Sequence, residues 1–151
     1  MAEAALQEAI DTGNLNYVKE LVAKHGVKIF DAYTKSDHQR KETAIHRAIN
    51  QNQTEVALYI LQQKKSLVQV MVKHQDFRGE TPLHRCGWCG RSEIARKLIK
   101  LGGKVNTPNS LGLTALHLAA ERGIFTHQIY HFILFFLENK LEQFLGIFFK
   151  F

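Results

Sequence analysis

The sequence predicts an all-α solenoid of helix-turn-helix units joined by hairpin loops, and three observations predict it. Thr81-Pro82-Leu83-His84, with Gly90 six residues on, recurs as Thr114-Ala115-Leu116-His117 with Gly123, a step of 33 residues. Gly79 and Gly112, each two residues before the Thr, keep the same step. A third copy, Thr43-Ala44-Ile45-His46, stands upstream and closes on Asn52. A period of that length marks a repeat array, in which each unit buries its core only against its neighbours.

The first unit, residues 4–30, is expected as two helices without the Thr-Pro-Leu-His run. Leu6 lies seven residues before Gly13, as Leu83 lies before Gly90, and Leu15, Val18, Leu21 and Val22 form a helical stripe up to Gly26. A terminal unit has solvent on its outer side, so loss of the pattern suits an N-terminal cap. Residues 28–41 read as a polar connection, longer than usual. The second unit, residues 40–75, places Asn52 in the glycine position, because Asn tolerates the left-handed conformation. Val56, Ala57, Ile60 and Leu61 supply its second helix. From His46 to His84 the step is 38 residues, and the surplus falls in 62–75. There Leu67, Val68, Val70, Met71 and Val72 have high β propensity, which predicts an extended finger or an extra half-turn beneath the helices.

The third unit, residues 76–108, carries the fullest pattern. Gly79 supplies the positive φ of a tight turn, Thr81 caps a helix, and Pro82 takes the first helical position, where a missing N–H costs nothing. Cys86 and Gly87 occupy the small-residue slot that Ala119 and Ala120 fill in the next unit, so neighbouring helices can approach closely. Gly90 ends the short helix. Ile94, Ala95, Leu98 and Ile99 then recur at helical spacing until Gly102-Gly103. The fourth unit, residues 109–135, repeats the motif through Gly123.

These residues resemble the ankyrin repeat, with its Gly-x-Thr-Pro-Leu-His start, two small residues, a glycine, a second helix and a closing Gly-x-x-Val-Asn. The resemblance covers residues 6–123 and is strongest over 76–123. It implies that His84 and His117 bond to Thr81 and Thr114 and to loop backbone, tying units together. It also implies a non-enzymatic adaptor, scaffold or inhibitor that binds a protein on its concave face. The matching positions are Phe77, Arg78, Glu80, Trp88, Cys89, Leu111, Leu113, Glu121 and Arg122, with Arg40, Glu42, Asn50 and Gln51 from the second unit. Trp and Arg are enriched among binding hot spots, which makes Trp88 beside Arg78 the expected anchor; packing of Trp88 against a neighbouring unit is the alternative.

Residues 124–151 break the pattern and hold eight of the ten Phe. Ile129, Phe132, Ile133, Phe136, Leu137, Leu141, Phe144, Leu145 and Phe148 follow helical spacing, which suits a cap over the last repeat. The rival readings are a helix lying on a membrane surface, and a divergent end on an N-terminal fragment or splice form of a longer repeat protein. The apolar runs fall short of the roughly 20 residues that a membrane span needs.

Hydrophobic content of 45% and charged content of 23% suit a globular chain, and a net charge of +6 is spread among acids rather than gathered in a basic run. A protein partner is therefore expected, and nucleic acid is not. Met1–Ile10 has two acids and no basic segment, and the chain has two cysteines, so the expected setting is cytoplasm or nucleus, as a monomer. The Cys86-Gly87-Trp88-Cys89 run lacks the βαβ context of redox exchange. Scattered histidines do not make a four-ligand zinc set. No phosphate loop, nucleophile elbow or carboxylate pair is present, so no catalytic residue, metal or cofactor is expected.

Overall fold

The computed structural model describes residues 1–36 and 39–122, with backbone alone at 34–36, and the single positions Leu134, Leu137 and Glu138. Helices α1 (Ala2–Asp11), α4 (Ala44–Asn50), α7 (Pro82–Cys89) and α9 (Ala115–Glu121) stack side by side as an inner row. Helices α2 (Leu15–His25), α5 (Thr54–Leu61) and α8 (Ser92–Lys100) form an outer row behind them. The described residues contain no strand. The core is continuous between the rows: Leu6, Ile10 and Val18 in the first unit, Ile45, Ile49 and Ile60 in the second, and Leu83, Ile94 and Leu98 in the third are all buried. No unit could bury those side chains alone.

The expectation of an extended finger in 62–75 is corrected by α6 (Lys65–Lys73), a two-turn helix. Val68, Met71 and Val72 are buried and Val70 is exposed. Positions i, i+3 and i+4 therefore share a face, whereas a strand would put Val68, Val70 and Val72 together. Residues 28–41 are corrected in the same way. They contain α3 (Ile29–Ser36), whose Ile29, Phe30 and Tyr33 are buried against α1, α2 and α4. The first two units thus each hold a third helix, which lies beneath the inner row.

The hairpin loops project from the inner row and are fixed by a repeated bonding pattern. Asp76 Oδ1 accepts from the N–H groups of Arg78 and Glu80, at 2.8 and 2.9 Å, and Asn109 Oδ1 accepts from those of Leu111 and Leu113. Adjacent tips are laddered: Phe77 N–H donates to Arg40 O at 3.0 Å, and Ser110 N–H to Arg78 O at 2.9 Å. Gly79 turns with φ 72°, and Lys41 holds the equivalent place in the second unit at φ 52°. Asn52, at φ 60°, takes the position that Gly90 takes at φ 69°.

The tail readings fall almost wholly on residues 123–151, which lie outside the described residues apart from three positions. Leu134, Leu137 and Glu138 are helical and exposed. Among the described residues no helix is long and apolar enough to cross a membrane.

Candidate protein-binding groove

The pattern histidines hold the inner row in register and so set the geometry of the concave face. Thr81 N–H donates to His84 Nδ1 at 3.0 Å, and the Thr81 hydroxyl lies 2.9 Å from the same nitrogen. With Nδ1 accepting, Nε2 carries the proton and donates to Leu113 O in the next unit, at 3.1 Å. His46 repeats this between Thr43 and Glu80 O, the latter at 3.0 Å. Both roles need a neutral ring, and burial enforces it: the pKa of His46 is pushed down to about 4, and that of His84 is lowered too. His117 caps against Thr114.

One step further along the inner helices, an ionic cluster fills the floor between the second and third units. Arg85 Nη2 lies 2.6 Å from Asp76 Oδ2 and 3.5 Å from Glu42 Oε1, and its Nε lies 3.3 Å from Glu80 Oε2. All four residues are buried. Burial raises the carboxyl pKa of Glu42. At Asp76 burial works in the same direction, but bonds from Glu80 N–H, the Arg85 guanidinium and Arg78 N–H outweigh it and hold the pKa low. Arg47 makes a bidentate pair with Asp11 of the first unit, both contacts at 2.7 Å, and that hydrogen bonding raises its pKa further.

Above this floor opens a groove of about 460 Å³, walled by the third and fourth hairpins and the ends of α7 and α9. Six of the nine expected contact residues line it: Arg78, Glu80, Trp88, Leu111, Leu113 and Glu121. Glu80 is placed on the floor, tied to Arg85, rather than offered at the rim. Phe77, Cys89 and Arg122 stand outside the lining. Phe77 is an exposed ring beneath the Arg78 guanidinium, 5.1 Å away, and Arg122 lies 4.7 Å over the Trp88 ring. Trp88 is 36% exposed and stacks on Arg122, so it neither points freely into solvent nor disappears beneath a neighbour.

Sequence reasoning missed Arg85, Asn109, Ser110 and Leu118 in this lining. The repeat register carried the signal for Arg85, since it occupies the place of Arg47 and Leu118 and would face the same way. In the second unit, Glu42 is buried, while Arg40, Asn50 and Gln51 are exposed. Cys86 is fully buried and Cys89 partly so; burial raises both thiol pKa values, that of Cys86 well above its ordinary level. Neither thiol is poised as a thiolate nucleophile.

The comparisons with known proteins agree on the architecture. The chain is 32% identical over 95 residues to human Rabankyrin-5 and 33% identical over 89 residues to the mouse protein, matches that take in 58% and 54% of this chain. Each match spans only 8% of the relative's length. A chain from the crystal structure of the yeast ribosomal protein Rps3 in complex with its chaperone Yar1 superposes with a TM-score of 0.71 at 18% identity, covering 80% of this chain and 84% of that one. The family model for ankyrin repeats (3 copies) matches residues 34–109 and 64–142, and on that match the chain belongs to the ankyrin-repeat family.

Proposed function

We propose that the chain is a non-enzymatic protein-binding module whose partner docks in the groove between the third and fourth hairpins. Ankyrin repeats generally mediate protein–protein interaction. The observation that carries the choice of face is the half-open indole of Trp88 at the groove, with Leu111 81% exposed at the hairpin tip. A large apolar side chain left in water on a rigid scaffold gains most when a partner covers it. The raised thiol pKa values of Cys86 and Cys89 support the non-enzymatic part of the reading.

Affinity purification with the full chain tests this. The double variant Trp88→Ala, Leu111→Asp should lose its co-purifying protein by about tenfold or more, the scale of a binding hot spot. The Lys97→Glu, Lys100→Glu variant, altered on the outer helix α8, should retain it, with circular dichroism unchanged for both. Loss with the α8 variant and retention with the groove variant would place the interface on the outer row instead.

A further inference from the structure

The lysines, interspersed along the sequence, gather on one side of the fold. Each outer helix runs back toward the hairpin side, and exposed lysines stand in its last turn or shortly after it: Lys24 and Lys28, Lys64 and Lys65, Lys100 and Lys104. Lys73 ends α6 and is exposed too. None of these makes an ion pair with a described residue. No carboxylate stands among them, because residues 21–30, 56–75 and 94–120 contain no Asp or Glu. Glu55 and Glu93 lie in the first turns of α5 and α8, at the far end. Helix stability explains part of this pattern, since cations in the last turns of α2 and α8 complement the helix dipole. It does not explain the rest. Lys28 directly precedes α3, Lys64 directly precedes α6, and Lys65 is the first residue of α6, positions where the dipole favours an acid. Val70, midway along α6, is 63% exposed and shares the outer face of that helix with Lys65, Ser66, Gln69 and Lys73.

We infer that this lysine edge docks on the surface of a lipid bilayer that carries anionic headgroups, with the outer face of α6 at the contact and Val70 entering the headgroup layer. The lysines are spread over three units rather than gathered round one pocket, which suits a charged plane. Lysine is a compact charge on a flexible stem and can follow mobile headgroups, whereas the fixed phosphates of a nucleic acid favour the planar fork of arginine. Each lysine close to an anionic leaflet adds to the attraction. Stable docking takes a second, apolar signal. Val70 supplies one, and residues 124–151 of the same chain, with eight of the ten Phe, add apolar groups but have only Lys140 and Lys150 as Lys or Arg. The array provides the cations that this segment lacks. None of the edge lysines, nor Val70, lines the groove between the third and fourth hairpins, so this contact and the protein-binding face stand or fall separately.

Flotation of the full chain with vesicles tests this. The chain should float with phosphatidylcholine vesicles that contain phosphatidylserine, and equally with phosphatidylglycerol in its place, but not with phosphatidylcholine alone. Added salt should release it. The Lys65→Glu, Lys73→Glu variant should bind about tenfold more weakly or worse, as expected for lysines close to an anionic leaflet, and Val70→Asp should weaken binding as well. The Lys19→Glu, Arg122→Glu variant makes an equal change of charge elsewhere and should weaken it far less, with circular dichroism unchanged in all three. Equal weakening in the two double variants makes net charge the cause and overturns the inference, as does binding that ignores Val70→Asp. The groove variant Trp88→Ala, Leu111→Asp should float like the parent chain, and its failure to float would move the membrane contact to the groove. Absence of flotation, together with Lys73-dependent binding to poly-glutamate or duplex DNA, overturns the bilayer in favour of a polyanionic macromolecule.

Discussion

At the residue scale, His46 joins structure to pH. Its ring sits fully buried between Thr43 and Glu80 O, and Asp76, Arg85 and His74 are the charged or titratable groups that act on it. Its pKa in the folded state is about 4, below the value of about 6.5 expected when unfolded, so the folded chain binds fewer protons. The contribution is complete above about pH 6.5 and is lost as pH falls toward the folded value, by on the order of 2–3 kcal/mol. Glu42 has the opposite sign, since its raised pKa favours the folded state as pH falls. Comparison with His46→Gln separates the two. Chemical denaturation at pH 7 and pH 4.5 should show a smaller loss of stability in the variant than in the parent chain, and equal losses would contradict the neutral, buried ring. The histidines were legible because each recurs with the repeat. Lys41 was not, because nothing about a lysine announces a left-handed turn, and only its place before Glu42-Thr43 marks it as the counterpart of Gly79. The Arg85 cluster was not legible either, because its carboxylates come from two separate hairpins.

At the scale of elements, close approach of α7 and α9 depends on Gly87. A Cβ there would stand 2.2 Å from Ala115 O and 3.0 Å from its carbonyl carbon, both backbone atoms that cannot swing aside. Helix propensity alone predicts that Gly87→Ala stabilises by roughly 1 kcal/mol. The packing predicts the reverse, a net cost of roughly 1–3 kcal/mol as the fourth unit is pushed off the third. The denaturation midpoint decides between them, and a rise in the variant would contradict the close packing. The small-residue slot was readable from its recurrence as Ala119 and Ala120. The third helices were harder. In 67–72 the β-branched residues argued for a strand, yet burial of Val68, Met71 and Val72 follows helical spacing, and packing against α7 overrides propensity. In α3 the apolar residues Ile29, Phe30 and Tyr33 are few, and the polar run around them hid the pattern.

At the scale of the whole molecule, the inner row, the histidine ties and the buried Arg85 cluster join neighbouring units into one continuous face. Its one groove among those described that joins an indole to hairpin tips and stacked cations lies over the third and fourth units. The architecture and six of the ten residues that line the groove could be read from the sequence, since a repeat gives the direction of each position once one unit is placed. The groove's polarity could not, because it depends on which acids turn inward. The central claim, that a protein partner docks in this groove, is tested most directly by site-specific photo-crosslinking in cells. A benzophenone side chain is introduced in turn at the positions of Trp88, Ser110 and Leu111, all in the groove lining, and, as controls on the outer row, at those of Lys19 and Lys97. The account predicts that the groove positions crosslink to a common protein and the outer positions do not. Crosslinks to that protein from Lys19 and Lys97, with none from the groove, would contradict it.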